Sequence, residues 1–456
     1  MLLKNGLIYN EKKGKLNKGD LRIEGEKIKK ISSTLTKKEN EKVIDISEKY
    51  VFPGIIDSHV HFQLESRGTV ADDDFYQGSI SAAYGGVTTF IDYADMNKDS
   101  LIRGIEDRIK KAKDKTILDY TLHLVINDDF QLDKHLSEIE KLPKKGISSL
   151  KLFTTYKNIY MLDEEKMEKI FNKAADLNIV VTVHSEDNEI IEKKQEEYKN
   201  QAKTDYKYHP DIRPAEAEKE AIKKLSKYAQ KNGAKLYIVH LSSKKGYEET
   251  LKARKKGVDI NVETTPHYLL LTRDLLEGKE ANYNFMTPPL RKSKDNKALW
   301  KGLKDNNIDV VATDHCAFSK EKKDEGNDVF DTYPGIAGVE TLFPLIYTYG
   351  YEKGKISLKQ LIESTSTNPA KIFGLYPQKG SLKEGSDADI LVYDPNEKRK
   401  LKAADLHSKS EYTAYEGMDI IGDTYLTILR GNILVKDNKL KAKKGYGKFI
   451  KAKTEE

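Results

Sequence analysis

The chain reads as a (β/α)₈ barrel carrying a small β domain assembled from its two ends. Three observations predict this. Eight apolar runs of strand length, most separated by amphipathic stretches of helical length, occupy the middle of the 456-residue chain. Both ends instead alternate apolar and polar residues around turns, in segments too short to close a core alone. Histidines, a lysine and an aspartate recur where the predicted strands end, the face on which such barrels carry their chemistry.

Taken in order, LLKNGLIYN contains an Asn-Gly turn and DLRIEGEKIKKIS a second turn at Glu24-Gly25. SLKEGSDADILVYDP and YLTILRGNILVKDN repeat the pattern, so residues 1–50 and 378–440 are expected to pair into one domain, with a barrel over 51–377 inserted between them. Strand one, 51–56, opens VFPGIIDSHVH and kinks at Pro53-Gly54. Further strands are expected at 88–93, 117–125, 149–153, 180–184, 235–240, 258–263 and 308–312. DEEKMEKIFNKAADLN and RPAEAEKEAIKKLSKYAQKN have the spacing of helices that bury one face. Residues 441–456, within and beyond the run KLKAKKGYGKFIKAK, read as a basic, solvated tail.

Composition narrows the function. The 79 basic and 73 acidic residues intermingle to a net charge of +6, which offers no basic face for nucleic acid. No run approaches the roughly 18 apolar residues of a membrane span, and MLLKNGLIYNEKKGK lacks the apolar core of a secretory leader. The single cysteine, Cys316, permits no intrachain disulfide and suits a reducing compartment. A cytoplasmic enzyme is expected.

The strand ends place His59 and His61 after strand one, Lys151 in strand four, His184 closing strand five, His240 closing strand six and Asp314 beyond strand eight. His59 and His61 are two apart, so on an extended chain both rings face one side, as in a metal chelate. Four imidazoles and a carboxylate suit a borderline divalent ion such as zinc, but two ions close together need a bridging anion. Lys151 lies inside the apolar string SLKLFTTY. Its ammonium would be repelled by metal ions, whereas its neutral amine can add carbon dioxide to become a carbamate with two ligating oxygens. His267 and His315 read as groups that orient neighbours. Cys316 reads as a buried thiol, because no histidine base is indicated for it. His123, His135, His209 and His407 lack ligand spacing.

PGIIDSHVHF, ADDDFYQGSISAAYGGVTTFIDYA, KLFTTYKN, VTVHSEDNEII, HPDIRPAEAEKEAI, IVHLSS, TPPLR, ATDHCAF and GIAGVE follow one another along the chain. In these strings the sequence resembles the cyclic amidohydrolases of the amidohydrolase superfamily, in particular the dihydropyrimidinase and hydantoinase group. The resemblance implies a metal-dependent hydrolase barrel with a small β-sandwich domain. It implies that His59, His61 and Asp314 hold one divalent ion and His184 and His240 a second. N6-carboxylated Lys151 would bridge the two. It implies attack by a bridging hydroxide on the carbonyl of a small cyclic amide, with Asp314 as base, Tyr156 supporting the carbonyl oxygen, and an N-carbamoyl amino acid as product. Thr287 and Ala337 match positions that bind the NH–CO edge of substrate, and a homotetramer is implied.

Two departures stand out: Ala337 replaces a frequent asparagine, and LESRG places Glu65 and Arg67 in the loop after His61, which reads first as a solvated loop and, as the alternative, as one where Glu65 or Arg67 tunes the pocket for a small or polar ring substituent. Three alternatives are distinguished by residues. A dihydroorotase carries an arginine where this chain has Gln63, an allantoinase generally lacks the tyrosine of KLFTTYKN, and a non-catalytic scaffold would have lost metal ligands.

Overall fold

The computed structural model describes residues 1–66 and 68–454. Among the described residues, eight parallel strands form the barrel sheet. They are Ile55–Val60, Val87–Asp95, Asp119–Val125, Ser149–Phe153, Val180–His184, Leu236–Ile238, Ile260–Thr264 and Val310–Val311. Helices cover the outside and side chains fill the inside, so the strands are buried nearly throughout. The ladder stops between the eighth strand and the first. Closure comes from a parallel bridge between Val60 and His315, and from the His61 N–H, which donates to the His315 carbonyl at 2.8 Å.

The helices follow the apolar spacing. Glu164–Asp176 starts where the Asp163 side chain accepts from Lys166 N, and it buries Met167, Ile170, Phe171 and Ala174 on one face. Ala215–Asn232 stops at Gly233, whose φ of 69° is a left-handed turn that glycine adopts without steric cost.

The chain ends build one nine-stranded sheet among the described residues, in which Tyr50–Pro53 pairs with Leu2–Asn10 on one side and with Ile390–Lys400 on the other. Three expectations change here. Val51 and Phe52 belong to this sheet, and the first barrel strand begins after Gly54. Asn5-Gly6 makes no turn: Leu2–Asn10 is a single strand with a bulge, because Asn5 takes a φ of 65° while pairing to the strand Lys15–Glu24 continues. The basic tail, over its described residues 441–454, is docked on the barrel and does not hang free, although its lysines are exposed. Lys448 and Ile450 bond to Tyr120, Ala452 to Gly146 and Lys453 to Gly374, while Phe449 packs on Tyr120 and Ala452 on the barrel floor. Apolar residues interleaved with the lysines dock the tail, and the ammonium groups remain in water.

Sheet and barrel are joined by a buried charge cluster. Lys379 Nζ lies 2.5 Å from Asp119, 2.7 Å from Asp389 and 3.0 Å from Asp387, and Arg430 Nε lies 3.0 Å from Asp119. Removing the ammonium leaves three buried carboxylates poorly compensated. Lys379→Met is therefore expected to cost about 3–5 kcal/mol of stability, read as a lower urea midpoint.

Candidate metal centre

The first strand and the segment after the eighth bring three predicted ligands together. Asp57, fully buried, accepts from Thr313 N at 3.1 Å, Thr313 Oγ1 at 2.5 Å and His59 N at 3.2 Å. With the Val60–His315 bridge, this sets Asp314 against the two histidines. His59 Nε2 and His61 Nε2 lie 3.0 and 3.1 Å from Asp314 Oδ1, and the donor atoms of all three residues fall within 4.8 Å of one another.

Across the mouth of the barrel stand the other three. The His184 ring lies 4.7 Å from the His240 ring, which lies 5.4 Å from that of His59. Lys151 Nζ sits 5.0 Å from the Tyr93 ring, which in turn stacks on His61 at 4.7 Å. Tyr156, His240 and Asp314 hold φ values of 64°, 38° and 52°, so the fold imposes a left-handed backbone at three candidate site residues.

Two carboxylates that sequence reasoning missed orient this set. Glu263, on the seventh strand, bonds His59 Nδ1 at 2.7 Å, His240 N at 2.9 Å and the Tyr237 hydroxyl at 2.8 Å. Glu186 bonds His184 Nε2 at 2.7 Å and is itself paired with Arg213. Each of the two carboxylates occupies one nitrogen of a histidine and leaves the other for an ion. The signal was present: ionisable residues at or just past buried strand ends, as in INVETT and VHSE, are expensive unless used.

The residues fit a metal pair. His61 Nδ1 is buried without a partner among the described residues, and His59 Nε2 is not aligned for a hydrogen bond despite its short approach to Asp314. Lys151 is 2% exposed with no ion pair among the described residues. Burial pushes its pKa down to about 8 against the pull of Asp314 and Glu263. Burial also disfavours protonated His59, but Glu263 and Asp314 outweigh it and raise its pKa to about 9. Burial lowers His61 to about 4. The Asp314 carboxyl is held well below its usual range by His59, His61 and His240, against the effect of burial. The second acidic cluster, Asp119 with Asp387 and Asp389, is already occupied by the cations of Lys379 and Arg430.

The six candidate ligands open onto a cavity of about 360 Å³ that Tyr156, Thr287 and Gly335 also line. Ala337 is set back from that wall, because Ile336 bridges to His315 and draws it against the barrel. Glu65 reaches the cavity, and Arg67 lies outside the described residues. His315 accepts from Gly338 N and Val339 N and faces Asp73 at 3.1 Å, an orienting role. His267 is buried beside Tyr268, away from the cavity lining, with both ring nitrogens unpartnered among the described residues. Cys316 touches the cavity, but burial raises its thiol pKa far above neutrality, the wrong direction for a nucleophile. His123, His135, His209 and His407 are each committed to hydrogen bonds elsewhere.

Fold and donor set are those of a metal-dependent barrel hydrolase. The amidohydrolase family model matches residues 50–434. The chain is 35% identical to a D-hydantoinase of Geobacillus stearothermophilus over 99% of this chain and 96% of that protein. It is also 35% identical to a D-phenylhydantoinase of Escherichia coli O1:K1 / APEC, over 99% and 98%. The crystal structure of dihydropyrimidinase from Brevibacillus agri NCHU1002 matches with a TM-score of 0.96 at 34% identity, covering 99% of this chain and 98% of that one. The chain belongs to the amidohydrolase family, and within it to the hydantoinase and dihydropyrimidinase group of cyclic amidohydrolases. Allantoinase, dihydroorotase and scaffold readings are not favoured.

Two outcomes test the centre. Glu263→Gln keeps the shape and removes the charge behind His59, so metal affinity is expected to fall about 10- to 100-fold, read by metal content after dialysis against a buffered chelator. A lysine can add carbon dioxide only as the neutral amine, which for Lys151 dominates above its pKa. Reactivation of metal-stripped protein at fixed dissolved carbon dioxide should therefore slow about tenfold per pH unit below pH 8 and level off above it.

Proposed function

We propose that this enzyme opens the ring of a hydantoin or dihydropyrimidine by hydrolysis and releases an N-carbamoyl amino acid. The carrying observation is the convergence of four histidines, an aspartate and a buried lysine with no ion pair among the described residues on one cavity that also holds Tyr156. His59, His61 and Asp314 would hold one ion and His184 and His240 the other, with N6-carboxylated Lys151 between them. The nitrogen-rich donor set favours zinc. When bound, such ions lower the pKa of water to about 7 and polarise a carbonyl.

The chain's own groups supply the rest. Asp314, kept ionised by the histidines around it, accepts a proton from the attacking water and passes it to the ring nitrogen as the carbon–nitrogen bond breaks. Tyr156 sits 5.5 Å, ring to ring, from His184 with the Arg213 guanidinium over its face, and its hydroxyl donates to the carbonyl oxygen as negative charge develops there. Thr287 and the main chain of Gly335, which line the cavity, would hold the NH–CO edge of the ring, the role that kinship assigns to Ala337. Kinship also supports a homotetramer, and the single buried cysteine supports a cytoplasmic setting.

Parallel assays with hydantoin, 5-substituted hydantoins, dihydrouracil, dihydrothymine, allantoin and dihydroorotate, with zinc and bicarbonate restored, test the reading. Hydantoins or dihydropyrimidines should turn over and chelation should abolish it; rapid turnover of allantoin or dihydroorotate alone would overturn it. Tyr156→Phe is expected to lower kcat about 100- to 1000-fold with the metal content unchanged.

A further inference from the structure

The inner end of the cavity holds the ligands, and its outer wall carries an unexpected charge. Asp95 ends the second barrel strand, two residues beyond Tyr93, so both side chains leave the same face. Tyr93 stacks on His61, and two residues of strand rise about 6–7 Å. Asp95 thus stands one short alkyl arm outward from the metal centre, and it lines the same cavity.

No cation among the described residues pairs with it, although Arg108 and Lys111 lie near enough to favour its charge. Arg108 is held by Asp92 at 2.6 Å and by the Phe62 carbonyl, and Lys111 by Glu65 at 2.5 Å. Among the described residues, Asp95 has no ion pair. Glu65 is its neighbour on the rim, and the Glu65–Lys111 pair is 61% and 41% exposed, so water screens it. Phe153 lies 5.0 Å from Lys151 Nζ and 4.8 Å, ring to ring, from Tyr160, on which the Asp95 charge acts. The Tyr160 phenol is pushed up to about 12 by burial and by the Asp95 carboxylate beside it. Aromatic faces followed by a free carboxylate suit an alkyl chain that ends in a cation.

Resting on the ring-opening reading above, we propose that the outer cavity selects cyclic amides whose ring substituent is a short alkyl arm ending in an ammonium or guanidinium group. Asp95 is the recognising carboxylate, and Glu65 adds negative potential at the rim. Substituents bearing a carboxylate are repelled by the same pair.

The test uses the zinc-loaded full chain with bicarbonate and compares kcat/KM for hydantoin, 5-butylhydantoin, 5-(4-aminobutyl)hydantoin and 5-(2-carboxyethyl)hydantoin. The aminobutyl compound is expected to exceed the butyl compound about 10- to 100-fold, and the carboxyethyl compound to be the poorest of the substituted three. In Asp95→Asn that ratio should collapse towards one, and Asp95→Lys should move the preference to the carboxyethyl compound. Zinc content and thermal melts of each variant confirm an intact fold. An aminobutyl-to-butyl ratio near one in the unaltered enzyme, with hydantoin itself opened, overturns the proposal and leaves the ring-opening reading standing. So does a ratio that survives in folded, zinc-loaded Asp95→Asn. Failure to open any hydantoin, the unsubstituted ring included, overturns the ring-opening reading and this proposal with it.

Discussion

The site depends on how the barrel closes. The ladder between the last strand and the first is incomplete, and the gap is bridged by main-chain bonds from Val60 and His61 to His315 and by the Asp57 carboxylate bonded to Thr313. A buried carboxylate is costly unless it is well bonded, and Asp57, whose pKa burial lifts to about 6, is offset by three donors. That contact makes residues some 250 positions apart in sequence meet at hydrogen-bonding distance. Without it, the His59 and His61 pair would face Asp314 only by chance.

The remaining candidate ligands are held by the same principle applied outward. Glu263 reaches from the seventh strand to His59 and to the main chain of His240, and so ties three strands together while fixing a ring orientation. Glu186 does this for His184 and draws its own charge balance from Arg213. Buried carboxylates behind imidazoles hold the rings still and make the free nitrogens better ligands. Lys151 differs from every other charged group nearby because no acid pairs with it among the described residues, and burial favours the neutral amine on which its proposed modification depends.

The accessory sheet is not a separate appendage. Tyr50–Pro53 runs through the sheet and continues, after Gly54, into the strand that ends at the metal centre. Lys379 and Arg430 bind sheet residues Asp387 and Asp389 to barrel residue Asp119, and the C-terminal segment then crosses the barrel floor. The sheet is thereby continuous with the first barrel strand, whose end carries His59 and His61.

Much of this was legible in one dimension. Period and composition determined the alternation of buried strands with amphipathic helices, and alternate spacing determined that His59 and His61 act as a pair. Residue chemistry at strand ends pointed to His184, His240, Lys151 and Asp314 as partners. Other features were not legible, for reasons of physics. Asn5-Gly6 is a bulge because pairing with the neighbouring strand outweighs local turn preference. The lysine-rich tail docks because its few apolar residues find a floor that exists only once the barrel is closed. Ala337 and Gly335 lie two residues apart, and only the bridge from His315 decides which one reaches the cavity. Glu263, Glu186 and Asp95 carry roles set by distance to groups far away in sequence, and those distances are products of closure. The chain by itself specified which residues could bind metal; the closed barrel decided which of their atoms remain free to do so.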